Sequence, residues 1–223
     1  MRRAIQLLVW AVVAVALPVV GSAFGSAGIA IGVALVLALW VWQWLWLPRS
    51  ASAAFAAGRF TRANRRYRLA GVLAAAPQRR RAALLSQIAC HVAAGEGARA
   101  AQLLDRIETG GLDVAERAAW LNNRACLALA GGDAAGALVL ADEATALRPD
   151  VPALQHTRGL ALLEVGRLDD AISVLDQMRA GGELAARLEA ERCRDLSRAW
   201  QQKGEAAYAE DYRLRAEALA PSG

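Results

Sequence analysis

The chain has 223 residues, a formal net charge of +5 and 56% hydrophobic residues, and its charge is unevenly placed. Residues 1–95 contain eleven arginines and no Asp, Glu or Lys, whereas the remaining 128 carry 15 Lys+Arg against 21 Asp+Glu. Three cysteines, Cys90, Cys126 and Cys193, are odd in number and lie 36 and 67 residues apart. That spacing indicates neither a disulfide framework nor a zinc site, so the thiols read as small buried apolar residues.

In chain order, Met1-Arg2-Arg3 precedes an apolar run from Ala4 to Val20, interrupted by Gln6 and Pro18. A Gly/Ser-rich piece follows at 21–28, and Ile29 to Leu47 is again apolar, with Gln43 its one polar residue. At about 1.5 Å of rise per residue the second run is long enough to cross a bilayer core, and the first needs only a few flanking residues. The expectation is a transmembrane hairpin over 1–48, with spans at about 4–21 and 28–47. A second reading of the first run is a cleavable signal peptide, with Gly21-Ser22-Ala23 at the cleavage site. Either way the second span ends on the same side. Arg2 and Arg3 flank one end of the hairpin and Arg49, Arg59, Arg62, Arg65, Arg66 and Arg68 the other, while the 21–28 loop is uncharged. By the positive-inside rule both termini are cytoplasmic, which places the chain as a multi-pass protein of the bacterial inner membrane.

Trp40, Trp42, Trp44 and Trp46 crowd the last turns of the second run. At 100° per residue they ring the helix, as an interfacial aromatic belt does; a cofactor or quinone site is the competing reading. Gly28 and Gly32 have the G-x-x-x-G spacing that lets spans pack closely, a spacing that glycine beside a turn also produces.

From residue 49 the pattern is helical and periodic. The clearest stretch, 120–149, is two short helices joined by a turn at Gly131, Gly132 and Asp133 and stopped at Pro149. Turn glycines recur at Gly58, Gly95, Gly132, Gly166 and Gly204, in steps of 37, 37, 34 and 38 residues. Five residues after each stands alanine: Ala63, Ala100, Ala137, Ala171 and Ala209. Twelve after each is an apolar residue: Ala70, Ile107, Ala144, Met178 and Ala216. Such pairs have one apolar face too many to stand alone, so neighbouring pairs must cover them.

These features resemble the tetratricopeptide repeat (TPR) family, most clearly at 119–150 with Asn122-Asn123, Gly132 and Pro149. The next unit, 153–184, reads GLALLEVGRLDDAISVL, with Gly159 where the family has a small residue. Arg124 departs from the leucine usual there. The resemblance implies an all-α fold in which a TPR-like solenoid of four to five helix pairs occupies 49–221, its first unit having a short first helix. It also implies a concave face lined by Leu85, Ser86 and Ala89, then Asn122, Asn123 and Cys126, then His156, Thr157 and Leu160, then Arg194, Asp195 and Arg198. Of these Asn122, Asn123, His156, Arg194 and Arg198 are the candidates for gripping a protein partner in the groove. A carboxylate clamp of the chaperone type is not expected, because Leu85, Ala89, His156 and Leu160 do not supply its flanks.

No catalytic constellation appears: Ser86, Ser173 and Ser197 lack an elbow-like turn, and no G-x-x-x-x-G-K motif is present. His91 and Cys90 are adjacent and point about 100° apart, which argues against joint ligation. The reading is therefore not an enzyme, with no cofactor and no metal. The basic stretch 58–68 holds Arg59, Arg62, Arg65, Arg66 and Arg68 interleaved with aromatics, and Arg79-Arg80-Arg81 follows. So close to a span, an anionic membrane surface accounts for it better than a protein partner or nucleic acid, at about 1 kcal/mol per basic residue. The expected function is a membrane-tethered adaptor that recruits a cytoplasmic protein partner. The alternative is an assembly factor or accessory subunit that binds a membrane complex through its hairpin. The layout is similar to that of membrane TPR proteins associated with haem biosynthesis. Those of cytochrome c assembly differ in having a long segment between their two spans.

Overall fold

A helix that must reverse direction in two or three residues needs a left-handed residue past its end, and glycine alone adopts that conformation without a Cβ penalty. All five turn glycines do so, with φ of 71° at Gly58, 74° at Gly95, 82° at Gly132, 80° at Gly166 and 83° at Gly204. The residue after each returns its N–H to a carbonyl five residues back: Arg59 to Ala54 (2.8 Å), Glu96 to His91 (2.8 Å), Asp133 to Ala128 (2.9 Å), Arg167 to Leu162 (2.9 Å) and Glu205 to Trp200 (3.0 Å). That bond closes the same helix-ending motif five times.

The computed structural model describes residues 30–38 and 41–219, with Val19, Ser22, Gly25, Ala27 and Gly28 before them. Among these residues all regular structure is helical. The turns join α1 (Leu47–Ala56) to α2 (Phe60–Leu73), α3 (Pro77–Ala93) to α4 (Gly97–Leu104), and α5 (Val114–Ala130) to α6 (Ala134–Leu147). In the same way α7 (Pro152–Glu164) is joined to α8 (Leu168–Gln177), and α9 (Ala186–Gln202) to α10 (Ala206–Ala218). The alanine five residues past each turn glycine is where the two helices of a pair cross. Ala63, Ala100, Ala137 and Ala171 are each 0% exposed, and Ala209 is 9%. Leucines and isoleucines fill the space between pairs, the largest cluster being Leu162, Leu163, Ile172, Leu175, Met178 and Leu196 between the last two. Asp113 starts α5 with a reciprocal capping box, its side chain on the Glu116 N–H and the Glu116 side chain on its own.

Two second helices are shorter than the repeat predicts. α4 ends at Leu104 and α8 at Gln177, each followed by a short 3₁₀ turn, Thr109–Gly111 and Met178–Gly181. Ile107 and Met178, expected on helices, still reach the core from outside the α-helix, at 9% and 1% exposure.

The N-terminal region differs from expectation. The first apolar run, apart from Val19, lies outside the described residues, as does Trp40. Within them one helix, Ala30–Ala56, is long and apolar enough to cross a membrane. It does not stop near Leu47: it runs on through Pro48 and its last ten residues are α1 of the solenoid. Proline in a helix lacks the N–H for the carbonyl four residues back and crowds that carbonyl. The chain widens into a π-helical turn at Trp42–Trp46, where the Leu47 N–H bonds to the Trp42 carbonyl. That turn lets the helix continue past the proline. A division at residue 48 therefore cuts one helix in two.

Candidate partner-binding and membrane-facing surfaces

The first helices α3, α5, α7 and α9 carry the residues expected on the concave face, and the structure sorts them into joints and free groups. Asn123 is 4% exposed, and its Nδ2 donates to the Leu85 carbonyl at 3.1 Å, tying α5 to α3. Thr157 is buried and donates to the Ala153 carbonyl, with Cys126 Sγ 3.6 Å away. His156 Nε2 lies 2.9 Å from Asp195 Oδ2, linking α7 to α9. Arg198 joins that link from the other side, reaching Asp195 at 3.4 Å and Glu164 at 2.7 Å. Asn123, His156 and Arg198 are thus engaged between neighbouring pairs, and at Asn123 and the His156–Asp195 pair, which are largely buried, a lost hydrogen bond leaves a desolvated group.

Arg194 remains free to meet a ligand, and Asn122 keeps an unpaired acceptor. The Oδ1 of Asn122 is buried without a hydrogen-bond partner, while its Nδ2 approaches Cys126 at 4.0 Å. Arg194 is exposed and, among the described residues, in no ion pair. Leu85 is buried, and the Ser86 hydroxyl donates to the Ala82 carbonyl of its own helix. Burial raises the thiol of Cys126, with the nearby Glu191 carboxylate adding to the effect. Burial also pushes Cys90 up to about 11, so neither thiol is poised as a nucleophile at neutral pH.

Sequence reasoning missed two arginines. Arg192, 2% exposed, donates to both Glu189 oxygens (2.8 and 2.7 Å) and to the Leu175 carbonyl, pinning α9 onto α8. Arg187 stacks between Phe55 (5.0 Å) and Phe60 (5.2 Å), so the last pair touches the first across the solenoid. Its position before a run of acidic and basic residues on α9 carries no signal of either contact.

The arginines of 58–68 divide as well. Arg59, Arg62, Arg65 and Arg68 are exposed, and Arg59 and Arg62 border an open hollow with Ala93 and Ala94 at the turn end of α2. Arg66 instead folds back onto the entering helix, its Nη1 donating to the Ser50 carbonyl at 2.7 Å and its guanidinium 5.4 Å from the Trp46 ring. It stands three residues after Ala63, on the same side as the helix crossing, which carries it toward the entering helix. Trp42, Trp44 and Trp46 are 37%, 40% and 51% exposed, and Trp42 stacks on Trp46 at 5.9 Å. Among the described residues no cluster of three or more potential metal-ligating side chains occurs.

Five antiparallel helix pairs, each turned by a left-handed glycine and crossing at alanine, make a TPR-like solenoid. Solved structures of TPR proteins have this fold. The structure of TTC0263, a thermophilic TPR protein of Thermus thermophilus, covers 79% of this chain and 91% of its own, with a TM-score of 0.58 at 18% identity. YrrB, described as a TPR protein with an unusual peptide-binding site, covers 79% of this chain and 86% of its own (TM-score 0.48, 15% identity). Nearly identical TPR-like repeats from Podosopora anserina cover 78% and 92% (TM-score 0.49, 19% identity). In sequence, no protein-family model and no curated protein matches the chain.

Proposed function

We propose that this chain is a membrane-tethered adaptor that holds a protein partner at the cytoplasmic face of the bacterial inner membrane. The observation that carries the reading is the continuity of the apolar helix Ala30–Ala56 with the first helix of a TPR-like solenoid. Solenoids of this kind present an extended concave surface to partners. A span that flows into the first repeat without a linker holds that surface at a set attitude to the bilayer and raises the partner's local concentration. The groove offers the small apolar side chain of Ala89, the half-paired amide of Asn122, and the free charge of Arg194 at the far end. Those groups fit a helix or extended segment that is apolar at one end and acidic at the other. The hairpin, with both termini cytoplasmic, and contact of the basic residues with anionic lipid belong to the same reading.

Two measurements test it. Reporter fusions at Gly223 and in the 21–28 loop are expected to report opposite compartments, with Gly223 cytoplasmic. A periplasmic Gly223 refutes the topology. Capture of the tagged full chain from mild detergent is expected to retain a protein that the double variant Asn122→Arg, Arg194→Glu releases while keeping its helix content. Retention unchanged by that variant refutes the concave face as the binding surface.

A further inference from the structure

The arginines are not distributed at random with respect to carboxylates. In the last two pairs most are in ion pairs, among them Arg158 with Asp142, Arg192 with Glu189 and Arg198 with Glu164. At the junction where the apolar helix becomes α1, Arg49, Arg66 and Arg79 are paired, among the described residues, with no carboxylate at all. They surround the Trp42–Trp46 turn. Arg79, exposed at the start of α3, places its Cζ 3.1 Å from the centre of the Trp44 ring, and Arg66 stacks on Trp46. Gln43, the one polar residue of the apolar stretch, donates to the Leu73 carbonyl at 2.7 Å and so fixes the end of α2 against the turn.

Stacking uses the face of a guanidinium and leaves its in-plane N–H donors free. Arg66 spends one donor on the Ser50 carbonyl. The remaining edges of Arg66 and Arg79 can accept a phosphate in the fork geometry that arginine favours. Both are steadied by the rings beneath them.

We propose that Arg66 and Arg79, seated on Trp46 and Trp44 with Arg49 beside them, form a collar that binds the phosphates of anionic phospholipid headgroups. This rests on the membrane-tethered reading and specifies which residues meet the leaflet. Lipid is the favoured source of the phosphate because the collar rings a helix whose neighbouring side chains, Leu37, Val41 and Leu45, are apolar and exposed. It also reassigns the basic stretch. The ten residues of α1 rise about 15 Å before the Gly58 turn. Arg59 and Arg62, toward the turn end of α2, lie about 10 Å and about 6 Å along the helix from Arg66, and of that stretch Arg66 is the residue that meets a ring of the Trp42–Trp46 turn.

The test is native mass spectrometry of the full chain in detergent, titrated with short-chain phosphatidylglycerol, phosphatidylcholine or inorganic phosphate. Wild type is expected to retain phosphatidylglycerol in preference to phosphatidylcholine. Arg66→Gln with Arg79→Gln weakens that retention about thirtyfold, at a typical worth of about one kcal/mol per basic residue. Arg59→Gln with Arg62→Gln leaves it unchanged. Equal retention by the collar variant, or loss through the Arg59/Arg62 variant, overturns the proposal. Competition by phosphate at concentrations comparable to the lipid also overturns it, showing a soluble-anion site instead. Membrane fractionation of the same variants separates the two readings. A wild-type chain absent from membranes defeats the tether itself, whereas a membrane-bound chain with collar-independent retention defeats only the collar.

Discussion

Gly159 on α7 faces Leu175 on α8, and the space there is already filled. A Cβ at residue 159 would lie 2.7 Å from Leu175 Cδ2 and 2.8 Å from its Cγ, well inside the 3.5–4.0 Å of an ordinary carbon contact. Leu175 is fully buried within the cluster formed with Leu162, Met178 and Leu196, so it has no open side toward which to move. Gly159→Ala therefore sets overpacking, at about 1–3 kcal/mol, against a helix-propensity gain of about 0.5–1 kcal/mol. The net is a loss of up to about 2.5 kcal/mol, or up to about 10 °C in melting temperature at about 2–4 °C per kcal/mol for a domain of this size. Far-UV circular dichroism of the full chain in detergent, heated alongside Gly97→Ala, is the assay. A Cβ at Gly97 would meet only Leu127 Cδ2, at 3.7 Å, so that variant should melt at or slightly above the wild-type temperature. If Gly159→Ala raises the melting temperature, the α7–α8 crossing described here is wrong.

Three further outcomes follow from the same geometry. Gly132→Ala, at φ 82°, should cost about 1–2 kcal/mol while Gly131→Ala, at φ −86°, costs less, and equal losses in thermal unfolding would contradict the left-handed turn. The hydrogen bonds from Arg192 hold the Glu189 carboxyl below the usual carboxylate range. A depressed folded-state value means that this contribution is complete above about pH 4.3, the unfolded value, and is lost as the pH falls through the folded one. Urea midpoints should thus drop less steeply with acid in Glu189→Gln than in wild type, and parallel curves would refute the link. Cys90 and Cys193 are 1% exposed with thiols raised by burial, so at pH 8 they should resist alkylation until the chain unfolds. Rapid labelling of Cys90 in the native chain, read by peptide mass, would show that the first and second pairs do not pack as described.

Legibility from sequence followed the range of the interaction. The five glycines and the alanines five residues later could be read because each obeys a rule confined to its own helix pair: a left-handed turn, then a crossing that tolerates only a methyl group. The ends of α4 and α8 could not, since Ile107 and Met178 reach the same core from 3₁₀ or turn backbone as from helix. Groove residues were found by position but not by state. Asn123 and His156 stand where the repeat places them, yet their partners, the Leu85 carbonyl and Asp195, are 38 and 39 residues away. An asparagine that binds a ligand and one that ties two helices together look alike in one dimension.

By itself, the sequence determined the places where the helix pairs turn and cross, bounded their number at four to five, and showed an apolar stretch of span length with a basic flank. These depend on local backbone preference and on hydrophobic period, which short segments carry complete. Only the tertiary structure decided that the apolar helix runs unbroken through Pro48 into α1, because a π turn can absorb a proline that local rules treat as a stop. Only it placed Arg66 and Arg79 on the tryptophans and Arg187 between Phe55 and Phe60. The direction of a long, flexible side chain is set by whichever ring or carbonyl the fold brings within reach, and its own neighbours in the chain do not specify that choice.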